Sequence, residues 1–462
     1  MAKKLVSVIR DYPNMTSKGV EAELFKYGVR PSKMQIFRAK NKALAEIEGI
    51  HAESYTKLPR YAELLRKYNP NSICKIHYDR PNILVEPAFL RIFVSFTTQK
   101  LGFLEGCRPF VGFDGCFLKG PFGGVLLIVV ALDANNNIFP LAFAVAECES
   151  KDTWRWFFYY FSEFFGPFDH TKPLTFMSDR QKGLNLAYEE MIPEVVGRHC
   201  CRHICSNFKS QFPGILLSNL FWKAAKSYDA IGHNDAMASI KDININAWKY
   251  LDKIPRTTWC RHVFSTELKC DHDTNNFTES FNAWIGDLRG KPILTLVDGL
   301  RRKFNKKMHI RYQKCGTLTG HITPRIVEKL KEIGQASRKC QMHMASEDTF
   351  EVGDMDRTYI VNLRQRSCDC GAFHISGIPC KHAALGVIYR REKLENYCEI
   401  WFTKDMYLKT YSHMIHPIPN VKRWPPMPEV LPTTVLPPPL RKAPGRPRVN
   451  RRREPDETAC TA

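Results

Sequence analysis

The longest apolar run in this 462-residue chain, Val125 to Leu132, is far too short to cross a bilayer, where a helix needs about 20 such residues. A membrane-spanning helical protein is therefore excluded, and the run reads as a buried strand. Acidic charge is also scarce: 47 Asp and Glu face 68 Lys and Arg, a net charge of +21. Such an excess points to a polyanionic partner, nucleic acid first, with a solvated basic surface as the alternative. A secretory leader is missing, since Met1-Ala2-Lys3-Lys4 runs on to Asp11, Tyr12 and Pro13 instead of an apolar segment. No internal repeat recurs, so a repeat array is excluded. Cysteine is not scarce. The 16 cysteines are irregularly spaced, which in a large chain without secretory features predicts reduced thiols and metal ligands rather than a disulfide framework. These features predict an intracellular, nuclear protein of two or three domains that binds DNA.

Helical periodicity runs through 33–70, broken near Gly49 and Pro59. From 91 the pattern changes. "RPFVGFDGCF", "GVLLIVVALD" and "IFPLAFAVAE" read as strands, the last two separated by the turn "ANNN". "DTWRWFFYYFSEFF" reads as a helix buried on one side, "LTFMSD" as a short strand ending in Asp179, and "QKGLNLAYEEMI" as a helix. The order strand-strand-strand-helix-strand-helix predicts an α/β sheet domain. A mostly helical stretch follows at about 204–270, then a helix beginning in "TNNFTESFNAWIGDLRG" and a basic helical segment over 300–350. Beyond Pro417 the chain turns proline-rich and then basic, a composition predicting disorder. The domains expected are an N-terminal helical DNA-binding lead (1–90), a sheet domain (91–300), a basic helical connector (301–355), a Cys/His module (356–392) and a tail (393–462).

Two acids sit where apolar strands run out, Asp114 in "FVGFDGCF" and Asp179 in "LTFMSD". Carboxylates there are costly to bury unless a cation joins them, and two on neighbouring strands make a hard-oxygen site suited to Mg²⁺ or Mn²⁺. Glu279, in the polar helix start T-N-N-x-T-E-S-x-N, is the best third member. Taken singly, each acid reads equally as a turn residue or a helix N-terminal charge.

The segments "FVGFDGCFLKG", "NIFPLAFAVAECESKDTWRWFF", "FMSDRQKGLNLAYEE", "RHCCRHICSNFK" and "TNNFTESFN" together resemble the transposases of plant Mutator-like elements, in one order along the chain. The resemblance implies an RNase H-like catalytic domain with a D-D-E triad and a helical insertion before the last acid. The triad then falls on Asp114, Asp179 and Glu279 and the insertion on 204–270. It also implies metal-dependent hydrolysis at element ends, followed by attack of the freed 3′-hydroxyl on target DNA. Trp154 and Trp156 match the family's W-x-W helix, with core aromatics under the sheet as the plainer account. The family's further N-terminal zinc-binding module has no counterpart ahead of the short basic lead. A truncated copy, or a domesticated DNA-binding regulator without catalysis, is therefore the alternative, and a zinc-dependent protein-interaction module a third.

Cys200 and His203 form C-x-x-H, a workable half-site for zinc at helical spacing. Cys260 and His262, or His272, could complete it; packing or DNA positioning is the competing role. The stronger pattern is C-x-C-x9-C-x-H: Cys368, Cys370, Cys380 and His382. Alternation on a strand turns Cys368 and Cys370 to one side, and Cys380 and His382 open the apolar helix "AALGVIY". Four such donors suit a closed tetrahedral Zn²⁺ site, and the spacing resembles the SWIM-type zinc finger of these transposases. His374, in the intervening loop, is not expected to be a ligand. In the tail, Gly445-Arg446-Pro447-Arg448 resembles an AT-hook core, Arg446 and Arg448 entering a narrow minor groove; a nuclear-localisation signal or counterion-release binding explains the same residues. A homo-oligomer is a further candidate partner.

Overall fold

Every residue of the strand Val125–Leu132 is buried, as befits a strand covered on both faces. The computed structural model, which describes residues 2–12, 15–168, 174–426 and 434–440, places it at the centre of a seven-stranded sheet. The strands are β1 (Ile73–Asp79), β2 (Ala88–Ser95), β3 (Phe110–Phe117), β4 (Val125–Leu132), β5 (Ile138–Ala146), β6 (Thr175–Ser178) and β7 (Val196–His199), in the order β1-β2-β5-β4-β3-β6-β7. The pairs from β1 to β3 are antiparallel; β3–β6 and β6–β7 are parallel. The chain is thus mixed α/β around one large mixed sheet.

Cross-strand neighbours share a face, so the register sorts the side chains. Phe113 pairs with Val129 and Val129 with Ala142, whereas Asp114 pairs with Ile128 and Ile128 with Phe143. The Phe113 face is covered by the helix Lys151–Phe165, which buries Trp154, Phe157, Phe158, Phe161 and Phe165. Phe113 meets the Phe158 ring at 5.1 Å and Trp154 at 6.1 Å. Trp154 is therefore core, while Trp156 is only half-buried and donates to His77 Nδ1 at 3.2 Å. The Asp114 face carries the helices Asn276–Ile285 and Ile293–Gly316, with Phe304 against both Phe143 (5.8 Å) and Phe281 (6.2 Å).

Among the described residues four smaller cores accompany this one, the smallest around Ile326 and Phe402. Residues between Cys201 and Cys260 pack among themselves, built from the helices Cys201–Gln211, Ile215–Lys226, Ala230–Ile243 and Ile245–Asp252; Trp259 stacks on Phe221 at 5.5 Å. This bundle is inserted between β7 and the Glu279 helix. The N-terminal helices up to Lys33–Thr56 form a second cluster. The third contains a small antiparallel sheet, β8 (Gln341–Met344), β9 (Thr349–Asp354), β10 (Arg357–Asn362) and β11 (Ser367–Cys368), packed on the helix Lys381–Tyr389.

Several boundaries differ from the sequence expectation. The sheet begins before 91, because β1 and β2 precede it; β1 mixes Lys75, His77 and Asp79 with its apolar residues, as an edge strand can. The helix Lys33–Thr56 runs unbroken through Gly49, one glycine costing only about 1 kcal/mol in a long helix. The span 301–355 is not wholly helical, since β8 and β9 lie in it. Nor does the tail start at 393. The helix Lys404–Tyr411 buries Tyr407 and Tyr411 in the main core, followed by Ile415, Ile418 and Val435. Tyr411 donates to the buried Asp133 at 2.8 Å. The basic segment with Arg446 and Arg448 lies outside the described residues.

Candidate functional site

Strands β3 and β6 pair in parallel with Gly112 opposite Met177. Continuing that register two residues brings Asp114 level with Asp179 just past the end of β6, so two acidic residues lie side by side where β6 ends. Each is oriented by the backbone. The Gly115 N–H donates to Asp114 Oδ1 at 2.8 Å and the Gln181 N–H to Asp179 Oδ1 at 3.0 Å. Between Asp179 and Gln181, Arg180 takes a left-handed conformation (φ +68°), a strained geometry for a non-glycine residue.

Glu279 comes from the first turn of Asn276–Ile285, which crosses β3 closely. Asn275 Nδ2 donates to the Phe113 carbonyl at 2.9 Å. Gly112 permits this approach: a Cβ there would overlap the Phe277 ring and Asn275 Oδ1. We expect Gly112→Ala to cost about 1–3 kcal/mol, the usual scale of overpacking, and to push the Glu279 helix away from Asp114. Denaturant unfolding measures the first effect; loss of the activity proposed below measures the second. One turn on, Asn282 Nδ2 donates to Asp114 Oδ2 at 2.9 Å.

Burial and neighbouring charges set the electrostatics of these acids. Burial, and then the neighbouring Asp179 charge, push the Asp114 carboxyl up to about 6. Arg202 holds Glu279 Oε2 at 2.5 Å from an exposed position. His203 is drawn above its ordinary value by its contact with Cys200 and by the charges of Asp179 and Glu279. Among the described residues, three groups of Cys, His, Asp and Glu bring their ligand atoms within 4.8 Å of one another; the three acids do not form one of them.

The C-x-x-H pair belongs to this acid site. Cys200 caps the helix Cys201–Gln211, and its sulfur accepts from the Asn275 N–H at 3.2 Å, tying that helix to the start of the Glu279 helix. Cys260 and His262 do not complete it. They gather instead around His233. His272 turns to Cys270, at 3.7 Å.

The C-x-C and C-x-H pairs do converge. Cys368, Cys370, Cys380 and His382 are all buried, with their ligand atoms within 4.8 Å of one another. Gly371 and Gly377, both left-handed (φ +76° and +71°), turn the chain from β11 through a short helix and back. Cys380 caps Lys381–Tyr389 and accepts from the Ala383 N–H at 3.4 Å. Hydrogen bonds from the Cys368 and Cys370 thiols, with that helix start, pull its thiol well below the ordinary range. His382 turns Nδ1 to Cys368 Sγ at 3.5 Å and Nε2 to Asp354 at 3.3 Å. That carboxylate contact fixes Nδ1 as the free donor, a common arrangement for metal-binding histidine. Tyr359 stacks on the imidazole at 4.2 Å. Three sulfurs and a nitrogen in a closed, buried cluster fit Zn²⁺. His374 sits on the short helix Ala372–Ser376, outside the cluster.

Sequence reasoning missed Asn282, Arg202 and Asp354. Asn282 had a readable signal, being three residues after Glu279 and so on the same helical face. Arg202 and Asp354 had none, because tertiary packing alone brings them to their partners.

A family model described as the MULE transposase domain matches residues 110–207, and one described as the SWIM zinc finger matches 359–385. The first span contains Asp114, Asp179, Cys200 and His203; the second contains all four residues of the cysteine and histidine cluster. No curated protein matches the chain. Among the described residues, no helix is long and apolar enough to cross a membrane.

Proposed function

We propose that this chain, in which a MULE transposase domain is followed by a SWIM zinc finger, cleaves DNA and transfers the cut strand in a metal-dependent reaction on an RNase H-like core. The order β5-β4-β3-β6-β7, three antiparallel strands followed by two parallel ones, supports that fold reading. The observation that supports the chemistry is the pairing of Asp114 with Asp179 across β3 and β6, with burial and the Asp179 charge pushing the Asp114 carboxyl up to about 6 and the Glu279 helix bonded to Asp114 through Asn282.

An all-carboxylate donor set suits Mg²⁺ or Mn²⁺. Such ions, when bound, would activate the attacking oxygen and neutralise charge on the phosphate. The chain's own groups do the positioning. Gly115, Gln181 and Asn282 aim the aspartates, and Asn275 fixes the Glu279 helix on β3. Exposed Arg202 offers a guanidinium to the DNA backbone. The zinc finger acts in DNA or partner contact. DNA as partner, self-association and a nuclear location are parts of the same reading.

A second reading, DNA binding without catalysis, draws on the Arg202–Glu279 ion pair, which occupies a carboxylate the ions would use. The assay offers a pre-cut DNA end with a free 3′-hydroxyl and a plasmid target, with Mg²⁺ or Mn²⁺. Joining that disappears in Asp179→Asn supports the first reading; DNA binding with no joining by the wild type selects the second.

A further inference from the structure

The helical insertion holds a second cluster of metal-binding side chains, distinct from the acids. Cys260 comes from the segment leading into the turn Arg261–Val263, His262 from that turn, and His233 from the helix Ala230–Ile243. Their ligand atoms lie within 4.8 Å of one another. His233 and Cys260 are fully buried and His262 is half-buried.

The geometry aims these donors inward. His233 Nδ1 lies 3.0 Å from the Ala224 carbonyl. A carbonyl oxygen can only accept, so Nδ1 carries the proton and Nε2 presents a lone pair. That nitrogen faces Cys260 Sγ at 3.9 Å. A backbone carbonyl fixing the tautomer from behind is how metal-binding histidines are commonly held. The His262 ring lies 4.5 Å from that of His233, and its Nδ1 is buried with no hydrogen-bond partner. A buried polar atom left without a partner is costly, and a metal bound there would relieve it. Arg256, whose charge acts on both histidines, is drawn toward Asp252 at 3.6 Å.

We propose that His233, Cys260 and His262 bind one zinc ion that staples the segment 256–263 to the helix Ala230–Ile243. Two imidazoles and one thiolate form a borderline-soft donor set. On binding, Cys260 loses its proton to solvent, and water fills the fourth position on the half-exposed His262 side. The staple closes the end of the insertion just before the chain returns to Asn275 and Glu279, giving the bundle a fixed exit toward the acid site.

The test is zinc content of the purified full chain by mass spectrometry, with circular dichroism as the folding control. Two zinc ions per chain are expected in the wild type and one in His262→Asn. Cys380→Ser should also hold one, and the double variant none. A wild-type zinc content in folded His262→Asn overturns the proposal, whatever Cys380→Ser shows. Should His262→Asn fail to fold, metal-stripped wild type is titrated with zinc against a chromophoric chelator. Two equivalents taken up support the second site. One equivalent, or uptake of copper but not zinc by Cys380→Ser, overturns it.

Discussion

Asp114→Asn is expected to abolish DNA strand joining, by roughly a thousandfold or more on the scale of losing a charge-stabilising group, while making the metal-free protein more stable. The two effects have one cause. A half-buried carboxylate facing Asp179 is held in a place that suits a cation and penalises an isolated anion. With its carboxyl pushed up to about 6, Asp114 binds its proton more tightly folded than unfolded. Its contribution to stability is therefore fully present below the unfolded value near 4 and is lost as pH rises through about 6. The shift corresponds to about 3 kcal/mol, reduced to about 1–2 kcal/mol by solvent screening at a half-buried position. Metal-free wild type should thus lose that much stability between pH 4 and 7 relative to Asp114→Asn. Asparagine can still accept from the Gly115 N–H, and the Asn282 amide need only turn over so that its Oδ1 accepts from the new Nδ2. Adding Mg²⁺ or Mn²⁺ should raise the melting temperature of the wild type and not of the variant. A variant less stable than metal-free wild type at pH 7 would mean that Asp114 is an ordinary structural residue.

The parts of this site differ in how far the sequence disclosed them. Asp114 and Asp179 were legible because each interrupts an apolar strand, and a carboxylate there demands a reason. Glu279 was legible only through a polar helix start and a family resemblance, since nothing local says that its helix crosses β3. Gly112 makes that crossing close, and a glycine in a strand signals such an approach without naming the partner. Strands β3 to β6 were readable from their apolar runs, broken only by Asp114 in β3. β1 and β7 were not: "ICKIHYD" and "VGRH" carry too few apolar residues for a period to emerge, and their sheet edges accept polar side chains. The Lys404–Tyr411 helix escaped for another reason. It precedes a proline-rich stretch, and its buried Tyr411 is anchored by Asp133, which lies 278 residues away in sequence.

The cysteine and histidine pairs show the same contrast. Spacing alone brought Cys368, Cys370, Cys380 and His382 together, because both knuckles are local. For Cys260 and His262 local spacing gave one half of a cluster and left its partner open, since His233 enters from a separate helix 27 residues earlier.

Removing zinc from the finger should unfold it while leaving the large sheet intact. Its buried core holds Phe350, Val352, Val361, Leu363, Phe373, Ala383 and Val387 beside four cysteines, too little apolar surface to fold such a short segment unaided. In peptides, a structural zinc supplies about 10–16 kcal/mol of apparent folding free energy, more than a whole domain's usual margin. Cys380→Ser removes one sulfur ligand, while its hydroxyl can still accept from the Ala383 N–H at the start of Lys381–Tyr389, so the metal site is lost and the helix cap is kept. Amide hydrogen exchange should therefore lose its protection across β9 and β10, both in that variant and in chelator-treated wild type. β4 and β5, in the main core, should keep theirs. Asp354→Asn tests the same site more gently. It leaves all four ligands and takes away the charge facing His382 Nε2, so zinc affinity should fall by roughly 10–100-fold with the fold retained. Full protection of β9 and β10 in zinc-free protein would mean that the cluster is a packed thiol core and not a metal site.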